Sequence, residues 1–192
     1  MNDKLLASVR FYFAQSVFNT NCHFKAIDRL QKKKRNISIF VSCLSGGTLF
    51  LLILQIAGLE LNYQFLLNIV SIMGLLLTGT SLMFQLIHKD DYIQEIFQHK
   101  TYVEKYKSLR DEYMSLIEEI MSDSSSHEQL RKKRDSFQIK NSHIGKTAPS
   151  TTNGDYKQAQ IGLGLRENKG EEFTWADEEI DRFLPKQLKI TV

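Results

Sequence analysis

Asn36–Leu59 reads NISIFVSCLSGGTLFLLILQIAGL, and Leu61–Ile87 reads LNYQFLLNIVSIMGLLLTGTSLMFQLI. These runs of 24 and 27 residues carry no charge, and only Glu60 parts them. A hydrocarbon layer about 30 Å thick takes roughly 20 helical residues to cross. In lipid a helix satisfies its own backbone polar groups, whereas an open strand does not. Each run is therefore predicted to span a membrane as a helix. The link Gly58-Leu59-Glu60-Leu61-Asn62 is too short for anything but an antiparallel turn. The expected fold class is all-α. A two-span hairpin covers 36–87, with spans at about 36–59 and 62–87, between long N- and C-terminal cytosolic helices and a partly disordered C-terminal tail.

The mean hydropathy of the 192 residues is only −0.27, because the apolar content is concentrated in those runs. Residues 1–35 hold eight Lys or Arg, ending in Lys32-Lys33-Lys34-Arg35 directly against the first run. The inter-run turn has no Lys or Arg, whereas Lys89, Lys100, Lys105, Lys107 and Arg110 follow the second run. Basic residues near span ends stay on the cytoplasmic side. Both termini are thus expected in the cytoplasm, with the basic cluster as a membrane-interface anchor rather than a nucleic-acid site. Tyr63 and Phe65 fall at the far interface. The first apolar run starts too late for a cleavable signal, so both spans are expected to persist. Cys22 and Cys43 are too few for a disulfide framework.

Residues 3–35 form an N-terminal arm with an apolar stripe at Leu6, Val9, Phe13, Val17, Phe24, Ile27 and Leu30. That spacing predicts helix, with a break or a new cap at Asn19-Thr20-Asn21. Residues 88–135 are expected to be a long amphipathic helix, interrupted or ended by Asp123-Ser124-Ser125-Ser126. Its stripe includes Ile93, Ile96, Phe97, Val103, Tyr106, Leu109, Tyr113, Leu116, Ile117 and Ile120. Such a face must bury, and the N-terminal helix is the nearest partner. Residues 136–171 are polar and Gly-rich and read as a flexible linker. Residues 172–192 read as a short acidic helix and tail, capped by Thr174, with Trp175, Ile180, Phe183 and Leu184 as its apolar patch. Two readings stand for that patch: a partner-docking helix, or a segment folded back on the protein's own helices.

Catalytic chemistry finds little support. His23, His88, His99, His127 and His143 have no ligand partner at i+3 or i+4, and there is no HExxH. Adjacent Cys22 and His23 point about 100° apart on a helix, a poor nucleophile–base pair. Gly162-Leu163-Gly164 lacks the third glycine of a dinucleotide loop, and Ser45-Gly46-Gly47 lies inside a span. No enzyme activity, metal or cofactor is expected. The spans carry more signal. Ser71, Gly74, Thr78, Ser81 and Gln85 share an arc of about 100° on the second helix. Ser38, Ser42 and Ser45 share a face of the first. Small and polar positions inside a bilayer serve helix packing or line a water-filled path, and the latter needs an oligomer.

The layout resembles the SLATT domain family. The carriers of the resemblance are the basic helix ending in Lys32-Lys33-Lys34-Arg35, the tight hairpin over 36–87, the charged helix from Asp90, and Ala26-Ile27-Asp28-Arg29-Leu30 before the first span. It covers about residues 3–122. SLATT proteins are two-transmembrane effectors associated with SMODS nucleotidyltransferases and SLOG sensors in bacterial conflict systems. The resemblance implies an inner-membrane antiphage effector that oligomerises and perforates or disrupts the membrane when a partner sensor is triggered. A membrane-anchored scaffold recruiting a soluble partner through its C-terminal helix is the alternative. A phage holin fits less well, given the long cytosolic arms.

Overall fold

The computed structural model describes residues 3–56, 64–165 and 175–191. Among these, every regular element is helical: α1 (Asp3–Ile56), α2 (Gln64–Met121), α3 (His127–Thr147), α4 (Asn153–Gly162) and α5 (Asp177–Asp181), followed by a 3-10 turn at Lys186–Leu188. The expected turn at 58–62, Tyr63 and the Thr174 cap lie outside the described residues. The chain divides into two compact units, Met1–Asp28 with Phe97–Val192, and Arg29–Ile96.

The first unit has a conventional buried core. Leu5, Leu6, Val9, Phe13, Ala14 and Val17 of α1 meet Tyr106, Leu109, Tyr113, Leu116, Ile117 and Ile120 of α2. Steps of three and four residues put each set on one helical face. Burying side chains of this size contributes about 1.5–3 kcal/mol each. Tyr12 stacks on Tyr113 at 5.9 Å, and Phe137 of α3 meets Tyr113 edge-on at 5.6 Å. The expected break at Asn19-Thr20-Asn21 is absent. Thr20 Oγ1 donates to the Ser16 carbonyl at 2.8 Å and Asn21 Nδ2 to the Val17 carbonyl at 3.0 Å. Back-bonding of this kind satisfies the side chains inside the helix, so they do not compete for a cap.

α2 ends at Met121 and α3 starts at His127, on either side of Asp123-Ser124-Ser125-Ser126, where an interruption or end was expected. Asp123 sits at φ 52°, a left-handed conformation that stops the helix. Ser126 then caps α3 in a reciprocal box with Gln129.

The expected linker over 136–171 is largely structured. Most of α3 and all of α4 fall in it, and Thr152 and Asp155 form a second capping box. Ile144 and Ala159 are buried. The polar average concealed a few apolar residues at helical spacing and one strong start signal, Thr152/Asp155, while α3 enters the stretch already started at Ser126. Residues 166–174 of that stretch lie outside the described ones.

In the second unit α1 and α2 run antiparallel. Phe40 meets Phe84 at 5.6 Å between ring centroids, and Ser45 meets Ser81 at 3.0 Å between hydroxyl oxygens. Advancing along one helix retreats along the other. Here large apolar side chains face outward on both helices: Leu49 and Phe50 are 62% and 61% exposed, Leu75 and Leu76 76% and 65%. By length and composition, one helix among the described residues is long and apolar enough to cross a membrane, α1 as far as Ile53; a shorter apolar stretch runs from Asn68 to Phe84.

Candidate functional site

The polar positions of the apolar pair divide into three groups. Ser81 is buried, and its hydroxyl meets that of Ser45. These two residues form an interhelical contact inside one chain. Gly74 is half-buried, two turns before Ser81 on nearly the same face, and a Cβ added there would meet nothing within 4 Å. Ser71 and Thr78 are exposed, as are Ser38 and Ser42. Thr78 Oγ1 donates to the Gly74 carbonyl at 2.8 Å, and Thr48 Oγ1 to the Leu44 carbonyl at 2.8 Å. Such bonds settle the hydroxyl proton within the helix and leave the oxygen lone pairs facing out. Gln85 lies in α2, but its side chain is outside the described set.

The cations Lys32, Lys33, Lys34 and Arg35 are all exposed on α1 and form no ion pair among the described residues. The anticipated docking patch is placed differently. Ile180 and Leu184 are buried in the same core as Leu6 and Phe13, with Trp175 and Phe183 packed against it. The surface considered for a partner is largely the inside of the protein's own first unit. Arg10, 1% exposed, holds it there. Its Nη2 lies 2.8 Å from Asp181 Oδ1 and 3.2 Å from Asp177 Oδ1, and Nη1 donates to the Leu188 carbonyl at 3.4 Å. Asp181 also accepts from the Ile190 amide at 3.2 Å and from the Thr191 amide at 2.7 Å and hydroxyl. Burial pushes the Asp181 carboxyl up, but the Thr191 donors and then Arg10 outweigh it and hold the group below its usual range.

Spacing rules gave no hint of a second polar cluster in the first unit. His23 Nδ1 of α1 lies 2.8 Å from His99 Nδ1 of α2, across 76 positions of sequence, and both rings are buried. Tyr106 and Tyr102 stack on His23 at 5.6 and 6.1 Å. Burial and then the neighbouring His99 lower the His23 pKa to about 4, against the opposing pull of Asp155. Burial, reinforced by Asp155, pushes the Cys22 thiol up to about 12, so it is held as thiol rather than nucleophilic thiolate. Among the described residues no group of three His, Cys, Asp or Glu side chains is placed to hold a metal. The available signal for the pair was positional. Thr20 and His23 fill the gap in the α1 stripe, and His99 fills the step between Ile96 and Val103.

What decides the family is the match of the whole layout. A family model described as SMODS and SLOG-associating 2TM effector domain family 4 matches residues 5–179. The chain belongs to this SLATT family. The match runs past residue 122, where the resemblance was expected to end, so α3 and α4 belong to the family domain. SLATT domains are membrane effector domains tied to SMODS and SLOG conflict systems, and the chain has that coarse role. Among curated proteins and among solved structures there is no significant match.

Proposed function

We propose that this SLATT protein is a two-span effector of the bacterial inner membrane, with both termini cytoplasmic. It perforates or disrupts the bilayer as an oligomer when a partner nucleotidyltransferase or sensor system signals. The carrying observation is the contrast between the units. The first unit gathers most of its large apolar side chains into a buried core, with Phe97, Ile139 and Ile161 among the exceptions, whereas in the second Ile39, Phe40, Leu49, Phe50, Leu75 and Leu76 all face outward and no comparable core forms among the described residues. Held in water, this much unburied apolar surface forgoes on the order of 10 kcal/mol, the whole stability margin of a domain. In lipid it is the proper solvent face.

Assembly is supported by the intramembrane glycines. A Cβ at Gly46, Gly47, Gly74 or Gly79 would touch nothing within 4 Å in this chain, so packing within one copy does not require their smallness. Close approach of a second copy does. Ser71 and Thr78 then face the interior of the assembly, while Ser45 and Ser81 hold each pair together. The test is Thr78→Leu in a growth assay with dye-leakage recording. Toxicity and leakage fall while carbonate-resistant membrane insertion persists. Undiminished killing by the variant would count against a Thr78-lined path.

A further inference from the structure

The chain carries two tetrads of consecutive cations, and they behave oppositely. Arg131-Lys132-Lys133-Arg134 in α3 is largely neutralised in place. Lys132 pairs with Glu128 at 2.8 Å, Lys133 with Glu119 at 2.6 Å and Arg134 with Asp135 at 2.7 Å. Lys32-Lys33-Lys34-Arg35 in α1 has no acidic partner among the described residues, and all four side chains are exposed. Lys32 and Arg35, three apart, lie side by side on the helix and repel, so the unpaired run is retained at a cost unless something outside the chain supplies the anion.

Geometry selects that anion. At about 100° per residue, four consecutive side chains point right round the helix. A nucleic-acid strand or an acidic protein groove meets one side of a helix and leaves the other cations unpaired. A headgroup layer that encircles the helix meets all four. Directly beyond Arg35 the charge stops, and Ile39 and Phe40 stand 56% and 50% exposed one turn on. This is the profile of a helix passing from headgroups into hydrocarbon.

We propose that Lys32, Lys33, Lys34 and Arg35 form a collar that gathers anionic phospholipid headgroups around α1 where it enters the bilayer. The proposal rests on the membrane-spanning reading above and deepens it. Lysine supplies point charge, and Arg35 a planar fork matched to a phosphate. Anionic surfaces attract a nearby Lys or Arg by roughly fivefold in population each, so four give at least about a tenfold lipid preference even when they act incompletely.

The experiment uses the full chain in mixed micelles containing phosphatidylglycerol and phosphatidylcholine, with retained lipids counted by native mass spectrometry. Wild type retains phosphatidylglycerol over phosphatidylcholine by at least about tenfold, falling as salt rises. K32Q/K33Q/K34Q/R35Q loses the preference. K32R/K33R/K34R and the charge-matched control R131Q/K132Q/K133Q/R134Q keep it, with helicity checked by circular dichroism. Equal lipid retention by wild type and the glutamine variant overturns the collar, as does displacement of the retained lipid by an added RNA oligomer. Carbonate extraction separates the two levels. Protein that stays in the membrane but shows no lipid preference refutes the collar alone, whereas protein released by carbonate refutes the spanning reading and the collar with it.

Discussion

Replacing Arg10 with Met removes the clamp that ties the C-terminal segment to α1. Arg10 is 1% exposed and the Asp181 side chain 4% exposed. Removing one partner of such a buried pair costs about 3–5 kcal/mol, because the remaining charge is stranded. Here the lower end applies. Asp181 keeps the Ile190 and Thr191 amides and the Thr191 hydroxyl, and Asp177 is 56% exposed and can turn to water. The Nε of Arg10 is a buried donor with no acceptor among the described residues, so its removal offsets a little more. A loss of about 3 kcal/mol raises the detached population of the segment roughly 100-fold. Hydrogen exchange on the solubilised full chain reads this directly, since the Ile190 and Thr191 amides are protected through Asp181. Their exchange accelerates by about two orders of magnitude in Arg10→Met, while amides of α2 between Val103 and Ile120 change little. R10M/D181N, which leaves no stranded carboxylate at 181 and keeps a side-chain carbonyl oxygen for the two amides, recovers much of the protection. Exchange in 183–191 within about threefold of wild type would refute the clamp. Equal acceleration throughout α2 would show that Arg10 supports the whole unit rather than the segment.

Buried His23 makes the first unit acid-sensitive. The His23 pKa is lowered from 6.5 to about 4, so the unfolded chain binds more protons between those values. Stability therefore falls as pH drops through that window and levels off below it, by on the order of 3 kcal/mol. Thermal melts of the solubilised protein at several pH values check this, and His23→Gln flattens the dependence. Two protonated rings would also face N–H to N–H across 2.8 Å, which the pair does not permit. The antiparallel register predicts that S45C/S81C in a Cys43→Ser background oxidises to an intramolecular crosslink, whereas S38C/S81C does not. Crosslinked dimers in place of an internal bond would turn the Ser81 face toward a second copy. Leu109→Ala, at a fully buried position, lowers unit stability by about 2–5 kcal/mol, measured by chemical unfolding.

Local signals were legible where one rule operated at a time. Helical spacing alone identified Leu6, Val9, Phe13 and Val17 as one face and Leu109, Tyr113, Leu116 and Ile120 as its partner. It failed at the margins of the stripe. Phe24 and Phe97, expected inside, are 40% and 68% exposed, while Cys22, Ala26 and His99 take the buried positions. Size and hydrophobicity favoured the phenylalanines, but a close helix contact favours what fits. Lys107 then covers Phe24 from above at 5.3 Å. The 136–171 stretch was misread because composition averages over position. Thr152/Asp155 inside it, and Ser126/Gln129 at the start of the helix that runs into it, are capping boxes whose spacing was present in the letters. Each histidine's place on its stripe was legible, but the pairing of His23 with His99 and the Arg10–Asp181 clamp were not. Each joins residues far apart in sequence, and no local period carries that information.

The clamp also changes what a deletion can mean. Removing residues 172–192 was the natural way to separate a scaffold from a pore, since a scaffold would lose its docking helix. That deletion takes Ile180 and Leu184 out of the core and strands Arg10 beside α1. A loss of function would then follow from an opened core under either reading. The discriminating change must leave the buried face intact and alter the outer one. Glu178, Lys186 and Lys189 offer this, because all three are exposed. Reversing their charges costs little stability, yet it changes any surface a soluble partner would read. A scaffold working through this segment loses its partner in E178K/K186E/K189E. An effector whose action lies in the apolar pair keeps its toxicity in that variant and loses it in Thr78→Leu. The two variants together separate the readings, because neither unfolds the unit that the deletion would destroy.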